Sequence, residues 1–166
     1  MPSPADRPLR PVRATGAQQP LRTFCGHCGR TPDDEQAQQT VRVCPTCGMG
    51  VLLQAPQDAA PSPSDPFLVV DDKLTVCALS RQAERLLGLS ETEAVNRHIG
   101  ELLVPADTES STGESLAAVL TWAARGEAPL RNIIVRPVNT FGVRLWARVG
   151  TCGPPNAALL VLADAG

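Results

Sequence analysis

The sequence predicts an α+β fold: five strands in one antiparallel sheet beneath a layer of helices, preceded by a small cysteine-based unit. Three observations carry this. From Phe67 onward, strand-like apolar runs come first and last and helix-like patterns are grouped between them, an order that gives an antiparallel sheet rather than alternating β-α units. Before Phe67, four of the six Cys stand in two C-x-x-C pairs. Proline also divides the chain, with 11 of the 16 in residues 1–66 and five in residues 67–166.

The 166 residues suffice for one ordinary domain plus a very small one. Hydrophobic residues at 43% can build a core, while 19% charged residues and a net charge of −2 leave no strong field to recruit nucleic acid or membrane. Aromatic residues at 3%, with no Tyr, argue against a base-stacking surface. No apolar run reaches the roughly 20 residues of a membrane helix, and Met1–Pro20 has no apolar core of a secretory signal. A reducing, cytoplasmic setting is therefore expected, in which paired Cys bind metal rather than form disulfides. The 14 Arg against one Lys reflect the bias of a GC-rich bacterial genome rather than a binding function.

Residues 2–20, PSPADRPLRPVRATGAQQP, lack the apolar content to offset ordering entropy and are expected to be a disordered tail, mildly basic through Arg7, Arg10 and Arg13. The four-cysteine unit follows at 21–54. Residues 55–66, APQDAAPSPSDP, read as a semi-stiff linker and the preferred site of proteolysis. The second unit, 67–166, is expected to fold without the first.

In the first unit, Cys25 and Cys28 form one pair and Cys44 and Cys47 the other. Two-residue spacing lets both thiolates of a pair converge on one ion at about 2.3 Å in tetrahedral geometry. Gly29 and Gly48 follow each pair, where a tight turn favours positive φ. Short strands are expected at Leu21–Phe24, Thr40–Val43 and Gly50–Leu53, with a polar loop over Thr31–Gln39. The unit resembles a zinc ribbon, with CGHCG and CPTCG as knuckles. About 34 residues with so few large side chains need the metal to fold. Four protein ligands make the site closed and structural; His27 is expected beside the ligands or exposed. One iron held by four thiolates, as in rubredoxins, is an alternative, although only Phe24 supplies aromatic packing. A redox-active C-x-x-C lacks its βαβ setting.

In the second unit, Phe67–Val70 is a strand, Asp71-Asp72 a turn and Leu74–Leu79 the next strand. Ser80 opens a helix whose Ala83, Leu86 and Leu87 share a face and whose end Gly88 caps. Ser90-Glu91-Thr92-Glu93 is a capping box starting a short helix. Another helix is expected around Ile99–Leu103, stopped by Pro105. Ser111-Thr112-Gly113-Glu114 is a second capping box. The helix it opens runs to about Arg125, with Leu116, Val119, Leu120 and Ala123 as its apolar stripe. Strands Leu130–Val138, Val143–Cys152 and Ala157–Ala163 close the chain; Arg144, Trp146 and Arg148 alternate with Leu145, Ala147 and Val149.

The stretch PFLVVDDKLTVCALSRQAERLLGLSETEAVNRHIGELLVPAD is similar to the opening of PAS domains. It has strand, acidic turn, strand and an N-x-x-A-x-x-L-x-G pattern, here Ser80, Ala83, Leu86 and Gly88, with Ser in place of Asn. The following E-x-x-x-R/G-x-I-x-x-L segment is Glu93, Arg97, Ile99 and Leu102. The resemblance spans essentially 67–164 and implies a five-stranded PAS fold. It further implies a module that senses ligands between sheet and long helix, or that binds protein partners, a second copy of itself included. Leu116, Val119, Leu120, Ala123, Ile134, Leu145 and Leu160, with Ala147, are the candidate pocket walls.

The PAS ligand is left open, with none at all as one outcome. A flavin sensor's reactive Cys motif is missing; Cys77 and Cys152 are expected to be small buried hydrophobes. His98 is the one candidate for a haem axial ligand. The two His fall in different units and no phosphate loop follows a strand, so no enzyme is expected. The functional expectation is a stand-alone PAS sensory or protein-interaction module in bacterial signal transduction, with the ribbon as docking surface. The alternatives are a transcription-associated regulator touching RNA polymerase or nucleic acid through ribbon and arm, and an iron-thiolate redox protein.

Overall fold

A computed structural model describes residues 19–37, 42–106, 115–126 and 129–164. Most of the expected tail, the start of the Thr40–Val43 strand and the capping box at 111–114 lie outside these residues. Strand β1 (Leu21–Cys25) pairs antiparallel with β2 (Leu52–Pro56) around the cysteine knuckles. The polar loop between them includes a single-turn helix, α1 (Asp34–Ala37), with Asp34 and Glu35 in its first turn, where the helix dipole favours acids.

The second unit is a curled antiparallel sheet of β3 (Phe67–Val70), β4 (Val76–Leu79), β5 (Leu103–Pro105), β6 (Arg131–Pro137), β7 (Leu145–Cys152) and β8 (Ala157–Asp164). Their spatial order is β4-β3-β8-β7-β6-β5. The sheet has six strands, not the expected five. The extra one is β5, at the site of the expected Ile99–Leu103 helix. That helix is cut to a 3₁₀ turn at Ile99–Glu101. Proline at 105 disfavours helical backbone at Val104, so the chain extends and pairs with β6, and proline is tolerated at such an edge.

Helices α2 (Arg81–Leu87), α3 (Glu91–Ala94) and α4 (Leu116–Ala124) form the helical layer. Ser80 caps α2, its Oγ accepting the Ala83 N–H (3.2 Å) and also the Phe67 N–H (2.8 Å). Gly88 ends α2 in the left-handed region. Glu93 Oε2 accepts the Ser90 N–H at 2.9 Å, as its box requires. The described part of α4 starts at Leu116 with Ser115 as N-cap, Oγ accepting the Ala118 N–H at 3.2 Å. Asp71 acts as a turn residue: its Oδ1 accepts the N–H groups of Lys73 (2.9 Å) and Thr75 (2.8 Å).

The sheet is covered along its inner face, and on its outer face over β3, β8 and the end of β7. Leu68, Val70, Leu79, Val135, Leu145, Ala147, Leu160 and Leu162 point to the helices and share one core with Ala83, Ile99, Leu116, Val119, Leu120 and Ala123. The opposite face presents Phe67, Val69, Leu159, Val161 and Cys152. There it meets Phe24, Leu53, Ala55, Ala59 and Ala60 from the preceding chain. The stretch expected as a linker is thus laid on the sheet. Ala55 and Pro56 belong to β2, Ala59, Ala60 and Pro61 are buried, and Arg148 Nη2 donates to the Ala60 carbonyl at 3.5 Å. Small alanines and a proline let this segment lie close to the sheet, which composition alone reads as a spacer.

Candidate metal centre and its seat on the sheet

The two knuckles are built alike. The Gly29 N–H donates to the Cys25 carbonyl (3.0 Å) and the Gly48 N–H to the Cys44 carbonyl (2.9 Å). Gly29 and Gly48 sit at φ +71° and +68°, the left-handed conformation a β-carbon resists. Backbone donors face the sulfurs: the N–H groups of His27 and Cys28 point to Cys25 Sγ, and that of Gly50 to Cys47 Sγ, each at 3.4 Å.

All four sulfurs lie within 4.8 Å of one another. Cys25 Sγ is 3.6 Å from Cys47 Sγ, and Cys28 Sγ is 3.9 Å from Cys44 Sγ. A tetrahedral ion with sulfur at about 2.3 Å requires edges of about 3.8 Å. The two shortest edges match that figure, and the four sulfurs are close enough together to hold one such ion. Burial pushes the Cys25 and Cys28 thiols up. Burial acts in the same direction on Cys47, but the N–H groups of Gly50 and Met49 and its sulfur neighbours bring it down to about 6. An ion held here would have to displace the protons of the raised thiols as it bound.

Gly50 is a requirement that the knuckle pattern does not announce. A β-carbon there would run into Cys25 Sγ and lie 2.9 Å from the His27 nitrogen. The only sequence signal is its place two residues after Gly48, in CGMG.

The centre is fastened to the second unit at three points. Phe24, next to the first ligand, meets Phe67 edge to face with centroids 5.6 Å apart. Gln54 and Gly153 exchange backbone hydrogen bonds of 2.6 and 2.9 Å. His27, only 5% exposed, reaches the helical layer. Its carbonyl accepts the Arg81 N–H at 2.9 Å, and its Nδ1 lies 3.1 Å from Glu91 Oε2, close enough for an ion pair but without hydrogen-bond alignment. His27 is therefore buried beside the ligands, and nothing in the spacing of CGHCG foretells its contact with Glu91.

The other candidate residues are distributed as follows. Leu116, Val119, Leu120, Ala123, Leu145, Ala147 and Leu160 pack together, each no more than 9% exposed. Ile134 is not with them: it pairs with Trp146 on the other face, and Ile133 takes the inward place opposite Ala147. His98 is exposed, its Nδ1 accepting the Gly100 N–H at 3.0 Å. Cys152 is buried as expected, but Cys77 is exposed. A register shift pairs Val69 with Ala78 and Val70 with Val76, and this bulge turns Cys77 outward.

A family model described as the PAS fold matches residues 57–144, more than half of the chain. The chain belongs to the PAS family. A search of curated proteins finds no match. Similar solved structures include the PAS domain of an HTR-like protein from Haloarcula marismortui, at 16% identity and TM-score 0.45, covering 60% of this chain and 85% of that one. Another is the PAS domain of nitrogen regulation protein NR(II) from Vibrio parahaemolyticus, at 17% identity and TM-score 0.44, covering 61% and 89%. The E. coli DhaR(N)–DhaL complex matches at 21% identity and TM-score 0.41, over 61% of this chain but 32% of that one. With every TM-score below 0.5, the assignment rests on the family model. Among the described residues, no helix is long and apolar enough to cross a membrane.

Proposed function

We infer that the chain is a non-enzymatic PAS sensory or protein-interaction module of bacterial signal transduction, carrying a zinc ribbon as a rigid docking surface. The observation that carries this reading is the closed four-sulfur cluster held against the sheet by Phe24 and Phe67. Four protein sulfurs leave an ion no open position for chemistry, so zinc in this reading is structural. It fixes α1 and the knuckles as a surface of set shape on a PAS scaffold. Leu116, Val119, Leu120, Ala123, Leu145 and Leu160 serve as packing beneath it.

The test is site-specific photocrosslinking in the native host, with the probe at exposed Glu35 on the ribbon and, separately, at exposed Arg85 on α2. A discrete protein adduct from Glu35 supports the docking role. Adducts to nucleic acid alone would favour a transcription-associated regulator, and protein adducts only from Arg85 would remove the ribbon from the interaction. Metal analysis of the same material separates zinc from iron.

A further inference from the structure

Where the cysteine unit leans on the sheet, the two do not close completely. A cleft of about 520 Å³ remains between them. One wall is Met49, Gly50 and Val51, the turn leading out of the second knuckle; the other is Val69 and Ala78 of the sheet with Val95 after α3. Met49 and Val51 are 67% and 47% exposed, large apolar side chains left uncovered at this cleft. This is a different place from the interval between sheet and α4, whose side chains pack on one another.

The polar lining has one sign. Asp71 and Glu91 are carboxylates, and among the described residues no Lys, Arg or His lines the cleft. Glu91 is committed: Oε1 accepts the Leu79 N–H at 3.1 Å and Oε2 faces His27 Nδ1. Asp71 uses only Oδ1, for the turn, so its Oδ2 is available. Asn96 and Asn156 line the same cleft. An apolar hollow with an available carboxylate oxygen selects a molecule with a hydrophobic body and a positively charged, hydrogen-bonding head.

We propose that this cleft is a binding site for a small organic cation, an apolar amine, seated between the second knuckle and the outer face of the sheet, with its ammonium on Asp71. The site deepens the sensory reading and rests on it in one respect. Because one wall is the turn after Cys47, the ligand is felt by the metal unit and the PAS sheet together.

The probe is the mono-dansyl amide of cadaverine, a naphthalene ring carrying a primary ammonium, titrated into the full zinc-loaded chain and read by fluorescence. Neutral dansylamide and anionic dansyl sulfonate are comparators. The expected result is saturable binding of one ammonium dye per chain, with the sulfonate bound far more weakly. Asp71→Asn, which keeps the turn acceptor, should weaken the ammonium dye about three- to tenfold and leave dansylamide unchanged. Val51→Trp, at a half-exposed position, should abolish binding of both while zinc and melting temperature are retained. No saturation up to about 1 mM, equal binding of the sulfonate, or unchanged binding to Val51→Trp would overturn the proposal. So would equal weakening of both dyes by Asp71→Asn. Zinc content is measured separately, so a chain that binds the dye without zinc refutes the metal reading and not the cleft.

Discussion

Replacing Phe24 by Ala asks whether the cysteine unit and the sheet stand or fall together. The ring is fully buried and meets Phe67 edge-on at 5.6 Å, so it joins a strand of the first unit to a strand of the second. Truncating a buried Phe to Ala costs about 3–5 kcal/mol, of which the aromatic pair supplies about 0.5–1.5. In a protein of this size each kcal/mol moves the melting temperature by about 2–4 °C, so a fall of roughly 6–20 °C is expected. The assay is thermal melting of the zinc-loaded chain, followed by Trp fluorescence. Trp122 on α4 and Trp146 on β7 both belong to the PAS part, neither in the cysteine unit. A common core makes the Trp transition move with the mutation. If that transition stays within about 2 °C of the parent while zinc is lost more readily, the two units melt independently and the coupling argued from the outer-face cluster fails.

Elemental analysis of the purified chain should give one zinc, and Cys25→Ser should lower this sharply and loosen residues 21–54. Gly50→Ala should do likewise without touching a ligand, because its methyl collides with Cys25 Sγ; undiminished zinc would contradict the close approach. Burial pushes the Cys152 thiol up to about 12, so the folded chain keeps a proton that the unfolded chain loses near its ordinary value of about 8.5. Its contribution is therefore complete below about pH 8.5 and lost as pH rises toward 12, a slope that urea titrations should show in the parent and that should be shallower in Cys152→Ala. Ala123→Trp, at a position 1% exposed between α4 and the sheet, should cost about 1–3 kcal/mol or more by overpacking; an unchanged urea midpoint would reveal an open pocket there.

Much of this was legible in the sequence for reasons that are local. Two C-x-x-C pairs with glycines after them specify knuckles because turn chemistry and tetrahedral geometry are local demands. The caps at Ser80, Gly88 and Ser90 were readable for the same reason. Strand β5 was missed because Ile99–Leu103 has a helical apolar pattern, while the effect of Pro105 reaches back only a residue or two. Ile134 was placed on the wrong face because Ile133 and Ile134 are adjacent and identical, so only pairing decides which turns inward. The seat of the cysteine unit did leave a trace. Phe67–Val70 and Ala157–Leu162 are apolar at every position rather than at alternate ones, the mark of strands covered on both sides. The proline-rich composition of 55–66 pointed to separation instead, and composition does not report that Ala59 and Ala60 pack against the outer face of the sheet.

The doubly covered strands also have a consequence for how the chain comes into being. Strands β3 and β8 lie side by side, yet β8 is synthesised about ninety residues after β3. An unbroken apolar segment such as AALLVL is a hazard whenever it stands uncovered, since strand edges and greasy faces recruit other chains. Here the residues that shield its outer side, Phe24, Leu53, Ala55, Ala59 and Ala60, have already left the ribosome when that segment emerges. The order of translation supplies the shield before the surface.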